Sequence, residues 1–209
     1  MNSRSTSIAV MVLVGLLFVS GCSASADPQG ERERGSAAID PFRSSRTDVF
    51  VSSTDVLTTV KSAPTRVIVP DLGIDMQVDP QGLDPDGQMS LPDSIFRAGW
   101  YEYASAPNSP GGSTVIAAHV DSRVEGVGPF GALRTAQPGT DVTVIDDAGT
   151  THVYRISSVE RLDKGVVPWQ NYFTTVGDQR LILVTCGGAF IEEQRNYTDN
   201  YIVTAEKVS

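Results

Sequence analysis

The chain has 209 residues, of which 40% are hydrophobic and 20% charged, and its formal net charge at pH 7 is -9. This profile is typical of one globular domain with an added segment, and it is too apolar for wholesale disorder. The negative charge argues against a nucleic-acid partner, which needs lysine and arginine to neutralise phosphates. The two cysteines, Cys22 and Cys186, are too few for a disulfide scaffold, a cysteine-rich zinc module or an iron–sulfur protein.

The first 22 residues have the pattern of a secretory signal. Arg4 lies in a short polar start, and an apolar run follows from Ile8 to Val19. A membrane-spanning helix needs roughly 20 apolar residues, so this shorter run fits the apolar region of a signal peptide better. It ends in Val19-Ser20-Gly21-Cys22, which resembles a bacterial lipobox and implies lipidation of the Cys22 thiol. The alternatives are an uncleaved membrane anchor or an ordinary signal peptide with an incidental cysteine.

Residues 23–63 are rich in serine, threonine, aspartate, arginine and glycine, and they predict a mostly flexible extracellular tether. Residues 64–209 hold 19 acidic and 10 basic side chains, so the negative charge belongs to the predicted folded domain. Solubility is the preferred explanation of that charge, because no EF-hand spacing supports a calcium site.

Short strands separated by turns dominate the predicted domain. The strands expected, in chain order, are Thr65–Pro70, Ile74–Val78, Ala98–Tyr103, Ser113–His119, Asp141–Asp146, Thr151–Ser157, Arg180–Cys186 and Asn200–Lys207. Asp147-Ala148-Gly149 predicts a hairpin turn, and short helical turns are expected near Pro129–Leu133 and Pro168–Phe173. The fold class predicted is all-β with short helices, as a barrel or a sandwich.

Cys186 ends an apolar strand and is followed by Gly187-Gly188. The paired glycines are expected to break the strand and to leave the thiol at a rim. A lone cysteine in a secreted protein is either buried and inert or reactive, and the strand alone leaves both possibilities open.

His119 also ends an apolar strand, whereas His152 lies within a hairpin strand and is interpreted as a plain surface residue. Arg195 follows Cys186 by nine residues, across a loop. Two antiparallel strands joined by that loop are expected to place Arg195 beside Cys186. There the arginine stabilises a thiolate or a developing oxyanion. The alternative is a surface arginine paired with Glu192 or Glu193.

The order of these residues resembles the sortase family of cell-surface cysteine transpeptidases. The matching elements are Ala117-Ala118-His119-Val120-Asp121, Leu183-Val184-Thr185-Cys186 and Arg195. Finer features resemble class F sortases of actinobacteria: Arg66-Val67-Ile68-Val69-Pro70, Ala98-Gly99-Trp100-Tyr101, Thr185-Cys186-Gly187-Gly188 and Asn196-Tyr197-Thr198-Asp199-Asn200. The resemblance spans roughly residues 64–207 and implies an eight-stranded sortase-type β-barrel. Family members more often carry a transmembrane anchor than a lipobox.

The resemblance implies a mechanism and a set of roles. Cys186 is the implied nucleophile on a sorting signal of the Leu-Pro-x-Thr-Gly type, His119 the proton donor and acceptor, and Arg195 the oxyanion stabiliser. Thr185 is an implied supporting residue. The partners implied are a sorting-signal peptide and an acceptor amine such as a cell-wall precursor, with no metal, no organic cofactor and no nucleic acid.

The expected location is the extracellular face of the cytoplasmic membrane, through a lipid on Cys22. Two alternatives from other classes stay open. A thiol peptidase on the same fold releases an acid product instead of a ligated one. A non-catalytic surface lipoprotein uses the barrel as a binding platform, with Cys186 inert.

Overall fold

Aliphatic and β-branched runs form eight strands that close into a barrel in the computed structural model, which describes residues 60–208. The predicted signal segment, Cys22 and most of the predicted tether lie outside the described residues. The barrel strands are β1 (Pro64–Val69), β2 (Ile74–Gln81), β3 (Arg97–Tyr101), β4 (Ser113–Ala117), β7 (Asp141–Asp146), β8 (Thr151–Asp163), β9 (Arg180–Ile191) and β10 (Asn196–Lys207). A small ribbon is formed by β5 (Asp121–Ser122) and β6 (Gly126–Val127).

The strands follow the order β1-β2-β3-β4-β9-β10-β8-β7 around the barrel. Two neighbouring pairs, β2 with β3 and β4 with β9, run parallel, and the other pairs run antiparallel. Within residues 60–208, three short 3-10 helices span Pro70–Leu72, Pro129–Thr135 and Trp169–Asn171. The predicted all-β class, the barrel and the scarcity of helix are confirmed.

The alternation of side chains separates two buried clusters. Leu181 and Leu183 of β9 belong to the main cluster inside the barrel, together with Ile116 of β4. Ile182 and Val184, the intervening residues of β9, belong to a second cluster on the opposite face of the same strand. Successive residues of a strand point to opposite faces, so β4 and β9 are buried on both sides.

The region from Val60 to Val208 contains no helix that is long and apolar enough to cross a membrane.

The hairpin predicted at Asp147-Ala148-Gly149 is confirmed, since β7 and β8 pair antiparallel across it with Ile145 opposite Thr151.

The last two strands are longer than predicted. β9 continues through Gly187-Gly188 to Ile191, so the expectation that the glycines end the strand is wrong. The two glycines are accommodated because β10 shifts register between Tyr197 and Asp199 and pairs with β9 on both sides of that shift. Gly188 has a left-handed backbone, with φ of 81°, which a residue bearing a Cβ rarely adopts.

His152 is not the surface residue that its position in a hairpin strand predicts. It is 5% exposed, and its Nε2 lies 2.8 Å from Oδ2 of Asp146. Asp146 also accepts hydrogen bonds from the backbone N–H groups of Ala148 and Thr150, at 3.0 and 2.8 Å. The carboxylate therefore closes the β7–β8 turn and holds the imidazole, which is why a polar side chain is buried here.

Candidate active site

His119 and Cys186 lie on neighbouring parallel segments of the barrel, at the level where β4 ends beside the longer strand β9. The register pairs Ala117 of β4 with Val184 of β9, and the backbone N–H of Ala118 still bonds to the Val184 carbonyl at 3.1 Å. The same register carries His119 to the level of Cys186. The two predicted catalytic residues, far apart in the sequence, therefore lie at corresponding levels of neighbouring segments.

Strand alternation also assigns both residues to one face. Ala117 and Val184 belong to the outer cluster, and His119 and Cys186 each follow one of them by two positions. Positions two apart on a strand share a face, so both functional side chains belong to the outer face of the barrel. Cys186 and His119 are both half-buried, which keeps the thiol accessible while limiting its contact with water.

Thr185 ties the two strands together immediately behind the reactive residues. It is 3% exposed, and its hydroxyl donates a hydrogen bond of 2.9 Å to the carbonyl oxygen of Ala118. Because Ala118 precedes His119 and Thr185 precedes Cys186, this bond fixes the spacing of the pair. The supporting role implied for Thr185 corresponds to a contact through its side chain.

Gly187 gives the site close contact with β10. A Cβ at this position would overlap the ring of Tyr201, so the tyrosine packs directly on the backbone that follows the thiol. A residue without a side chain is therefore required immediately after Cys186.

Cys186 borders a cavity of about 230 Å³ at the mouth of the barrel. Its lining combines two arginines, two tyrosines, one carboxylate and small or aliphatic groups: Val120, Asp121, Val127, Gly131, Arg134, Arg161, Thr185, Gly187, Gly188, Tyr197 and Tyr201. The side chain of Arg161, on β8, donates from Nε to a carboxylate oxygen of Asp199 on β10.

Asp121 is hydrogen-bonded to Tyr197, and both residues line this cavity. The Tyr197 hydroxyl donates a hydrogen bond to Oδ2 of Asp121, and the Tyr197 ring packs edge-to-face on Phe190 at 5.1 Å between centroids. The hydrogen bond to the carboxylate, together with partial burial, raises the pKa of Tyr197 to about 12. Tyr197 is therefore a protonated donor at neutral pH and links the ribbon strand β5 to β10.

Arg195 is not beside Cys186, so this expectation is wrong. β9 runs five residues beyond Cys186 before the chain turns, and the residue opposite Cys186 on β10 is Asn200. Arg195 lies in the turn between Ile191 and Asn196, with an exposed side chain and a left-handed backbone φ of 48°. The alternative of a surface arginine agrees with this exposure, but among residues 60–208 Arg195 forms no ion pair with Glu192 or Glu193, and Glu192 pairs with Arg123 at 3.1 Å instead.

The cation that contacts the thiol is Lys164, which the sequence did not indicate. Its Nζ lies 3.4 Å from Sγ of Cys186, and it also donates to the side-chain oxygen of Asn196. No local sequence motif predicts this contact. Lys164 follows the end of β8 and lies near the thiol because β8, β10 and β9 are neighbours in the barrel. Within residues 60–208, no group of three or more histidine, cysteine or carboxylate side chains is arranged to hold a metal ion.

A closed eight-stranded barrel with a cysteine on one strand and a histidine just beyond the end of its parallel neighbour is typical of a class of cysteine acyl-transfer enzymes. The Sortase domain model matches residues 67–208, and the chain therefore belongs to the sortase family of cysteine transpeptidases. No protein among the curated sequences compared with this chain matches it.

Solved sortases share this architecture. Sortase C-1 of Actinomyces oris is 17% identical, with a TM-score of 0.53 over 69% of this chain and 73% of that one. A Group B Streptococcus Pilus Island 1 sortase C2 is 18% identical, with a TM-score of 0.54 over 71% and 75%. Sortase C1 of Streptococcus suis is 16% identical, with a TM-score of 0.54 over 71% and 74%. At such identity the likeness shows a common fold.

Proposed function

We propose that this sortase acts on a sorting signal of the Leu-Pro-x-Thr-Gly type and transfers the cleaved segment to an amine on the cell wall or on a surface protein. The observation that carries the proposal is the alignment of Cys186, within β9, with His119, just beyond the end of the parallel strand β4. The motifs shared with class F sortases support placement in that subclass.

Cys186 acts as the nucleophile. Its thiolate attacks the carbonyl carbon of the threonine, a carbon–sulfur bond forms, and the bond to the glycine nitrogen breaks. His119 donates a proton to the departing amine, and the product held on the enzyme is a thioester. A thioester stays reactive toward amines, so an incoming amine can restore the thiol and form a new amide.

His119 then takes the proton of the incoming amine. Its half-buried position at the end of β4 suits this double use, since the imidazole has to exchange protons with both leaving and entering groups. The Thr185 hydroxyl acts through the Ala118 carbonyl and holds the two reactive residues in register.

The test is a product analysis with a fluorescent peptide containing the Leu-Pro-x-Thr-Gly motif, with and without an added amine. The wild-type protein is expected to form ligated peptide in proportion to the amine. His119→Gln is expected to lower kcat/KM by about 100-fold or more, because general acid–base catalysis contributes about that much.

His152→Gln is the matched control, because this histidine is bonded to Asp146 at the end of the barrel away from Cys186. It is expected to keep wild-type turnover at a temperature where it stays folded. Acid product alone at every amine concentration supports the thiol peptidase instead. A damaging His152→Gln with a harmless His119→Gln contradicts the assignment.

The lipobox pattern supports a further part of this proposal, namely that a lipid on Cys22 anchors the protein at the extracellular face of the cytoplasmic membrane. Residues 1–22 are then the lipoprotein signal segment, cleaved immediately before Cys22, which becomes the first residue of the mature chain; 23–63 are the tether and 64–209 the catalytic domain. Intact-mass analysis of the mature protein is expected to show an acylated N-terminal Cys22. A mature chain that retains Met1 contradicts lipid attachment.

A further inference from the structure

A cation in contact with the Cys186 sulfur favours its thiolate form, and β10, one of the two strands beside β9, offers none at this level. Asn200 is the β10 residue paired with Cys186, and Asp199 is paired with Gly187. Arg195, the cation expected there, lies in the exposed turn beyond Ile191. A positive charge at the sulfur must therefore come from another part of the barrel.

Lys164 meets this requirement through direct contact. Its Nζ is 3.4 Å from Sγ of Cys186, within the distance at which an ammonium group bonds to a thiolate. Among the described residues, this is the one side-chain hydrogen bond to that sulfur. Lys164 itself is half-buried, which reduces the screening of its charge by water.

The position of Lys164 is fixed at two points. Its backbone N–H bonds to the Thr198 carbonyl at 3.0 Å, where β8 runs alongside β10. Its ammonium group also donates to the side-chain oxygen of Asn196, and that oxygen accepts the Tyr197 backbone N–H at 2.9 Å. Leu162, two positions earlier, packs against the outer cluster, so the alternation directs Lys164 to the face that carries Cys186.

The other charged groups of the site are arranged differently. Arg134 and Arg161 line the cavity at the barrel mouth, and Arg161 is held by Asp199. Asp121 adds a negative charge to the same cavity, with the Tyr197 hydroxyl bonded to it. His119 approaches from the strand on the other side of β9. Lys164 is thus the cation in contact with the sulfur.

We propose that Lys164 supplies the positive charge that holds Cys186 as a thiolate, a role that the sequence assigned to Arg195. The transfer reaction in which this thiolate takes part rests on the proposed function, whereas the ionisation itself does not. An opposite charge within about 4 Å shifts an ionisation equilibrium by roughly one pH unit or more toward the charged form.

The test is the pH dependence of Cys186 alkylation by iodoacetamide in the full chain. Peptide-resolved mass spectrometry separates Cys186 from Cys22, so no other thiol contributes. Lys164→Met is expected to move the midpoint of the profile up by about one pH unit, because only the thiolate reacts. Lys164→Arg keeps the charge and is expected to recover most of that shift.

Lys61→Met is the matched control, because Lys61 bonds to the Ala104 carbonyl at 2.7 Å, at the end of the barrel away from Cys186. Its midpoint is expected to equal the wild-type value. Lys164→Gln serves as the second uncharged variant, so that a folded protein is available if the methionine variant unfolds. Circular dichroism identifies the folded variants.

Two outcomes overturn the proposal. One is a wild-type midpoint in folded Lys164→Met or Lys164→Gln. The other is an upward shift in Arg195→Met without one in the lysine variants. Because iodoacetamide needs no peptide substrate, either result stands whether or not the protein ligates a sorting signal. A failure of the proposed function, by contrast, is read from the ligated product.

Discussion

Thr185 is the residue on which the spacing of the catalytic pair depends most directly. Its hydroxyl, on β9, bonds to the carbonyl of Ala118, which directly follows the neighbouring strand β4, and the side chain is buried. A buried carbonyl that loses a hydrogen-bond donor costs about 1–3 kcal/mol. The same loss frees the backbone immediately before His119.

Thr185→Val keeps the shape of the side chain and removes the donor. We expect the free energy of unfolding to fall by about 1–3 kcal/mol and kcat to fall roughly tenfold, since small displacements of reacting groups are costly. Thr185→Ser restores the hydroxyl and is expected to recover most of kcat. Urea unfolding and steady-state kinetics check both. A Thr185→Ser variant as slow as Thr185→Val contradicts the hydrogen-bond explanation.

The sequence predicted the placement of a residue where its position along its own strand was sufficient. Cys186 and His119 each follow an apolar run, and the order of the motifs relates one to the other. The sequence did not indicate the contacts of Lys164 and Tyr197 or the location of Arg195. Their contacts depend on the register of β10 against both neighbours and on the length of the β9–β10 hairpin.

The β7–β8 hairpin is an element stabilised by a buried polar pair. His152 and Asp146 are side chains with 6% and 1% exposure, joined at 2.8 Å. Burial opposes ionisation of the Asp146 carboxyl, but the hydrogen bonds from His152, Thr150 and Ala148 outweigh it and lower the pKa of Asp146. The ionised carboxylate is therefore part of what holds this turn closed.

A lowered pKa in the folded state makes the contribution of Asp146 dependent on pH. It is fully present above about pH 4, the unfolded value, and is lost as the pH falls through the lower folded value. Asp146→Asn is expected to lower the free energy of unfolding by about 1–3 kcal/mol at pH 7. The difference in free energy of unfolding between Asp146→Asn and the wild type is expected to become smaller at acid pH.

Asp141→Asn is the matched control on the same strand. Asp141 is 56% exposed and pairs with Arg155, and exposed ion pairs of this kind contribute little to stability because water and salt screen them. Urea unfolding at neutral and acid pH measures both variants. Two results contradict the role given to the buried pair. One is an equal loss of unfolding free energy in both variants at pH 7. The other is a loss in Asp146→Asn that does not change with pH.

Strand prediction was accurate where turns bound the strand on both sides, as for β7, which the sequence placed at Asp141–Asp146. The predicted β9 and β10 were too short. The Gly187-Gly188 pair predicts the end of a strand, but β9 continues through it and pairs with β10 across a bulge. The ribbon of β5 and β6 was missed because each strand has only two residues. Such a short strand has no period to detect.

The barrel as a whole brings together residues from distant segments. β4 and β9 are parallel neighbours, but four other strands, β5 to β8, lie between them in the chain, so the sequence cannot show that they touch. The closed order then sets β10 and β8 beyond β9, which is how a residue following β8 reaches the thiol. The family resemblance implied the barrel, whereas strand periodicity alone left the sandwich open.

The central claim is that Cys186 carries the acyl group during transfer. The most direct measurement is the intact mass of the full chain, quenched in acid after mixing with a Leu-Pro-x-Thr-Gly peptide in the absence of amine. We expect an added mass equal to the peptide fragment ending in threonine, located on Cys186, absent in Cys186→Ala and removed by an added amine. Cleavage at the wild-type rate by Cys186→Ala, or an adduct on any other side chain, would contradict it.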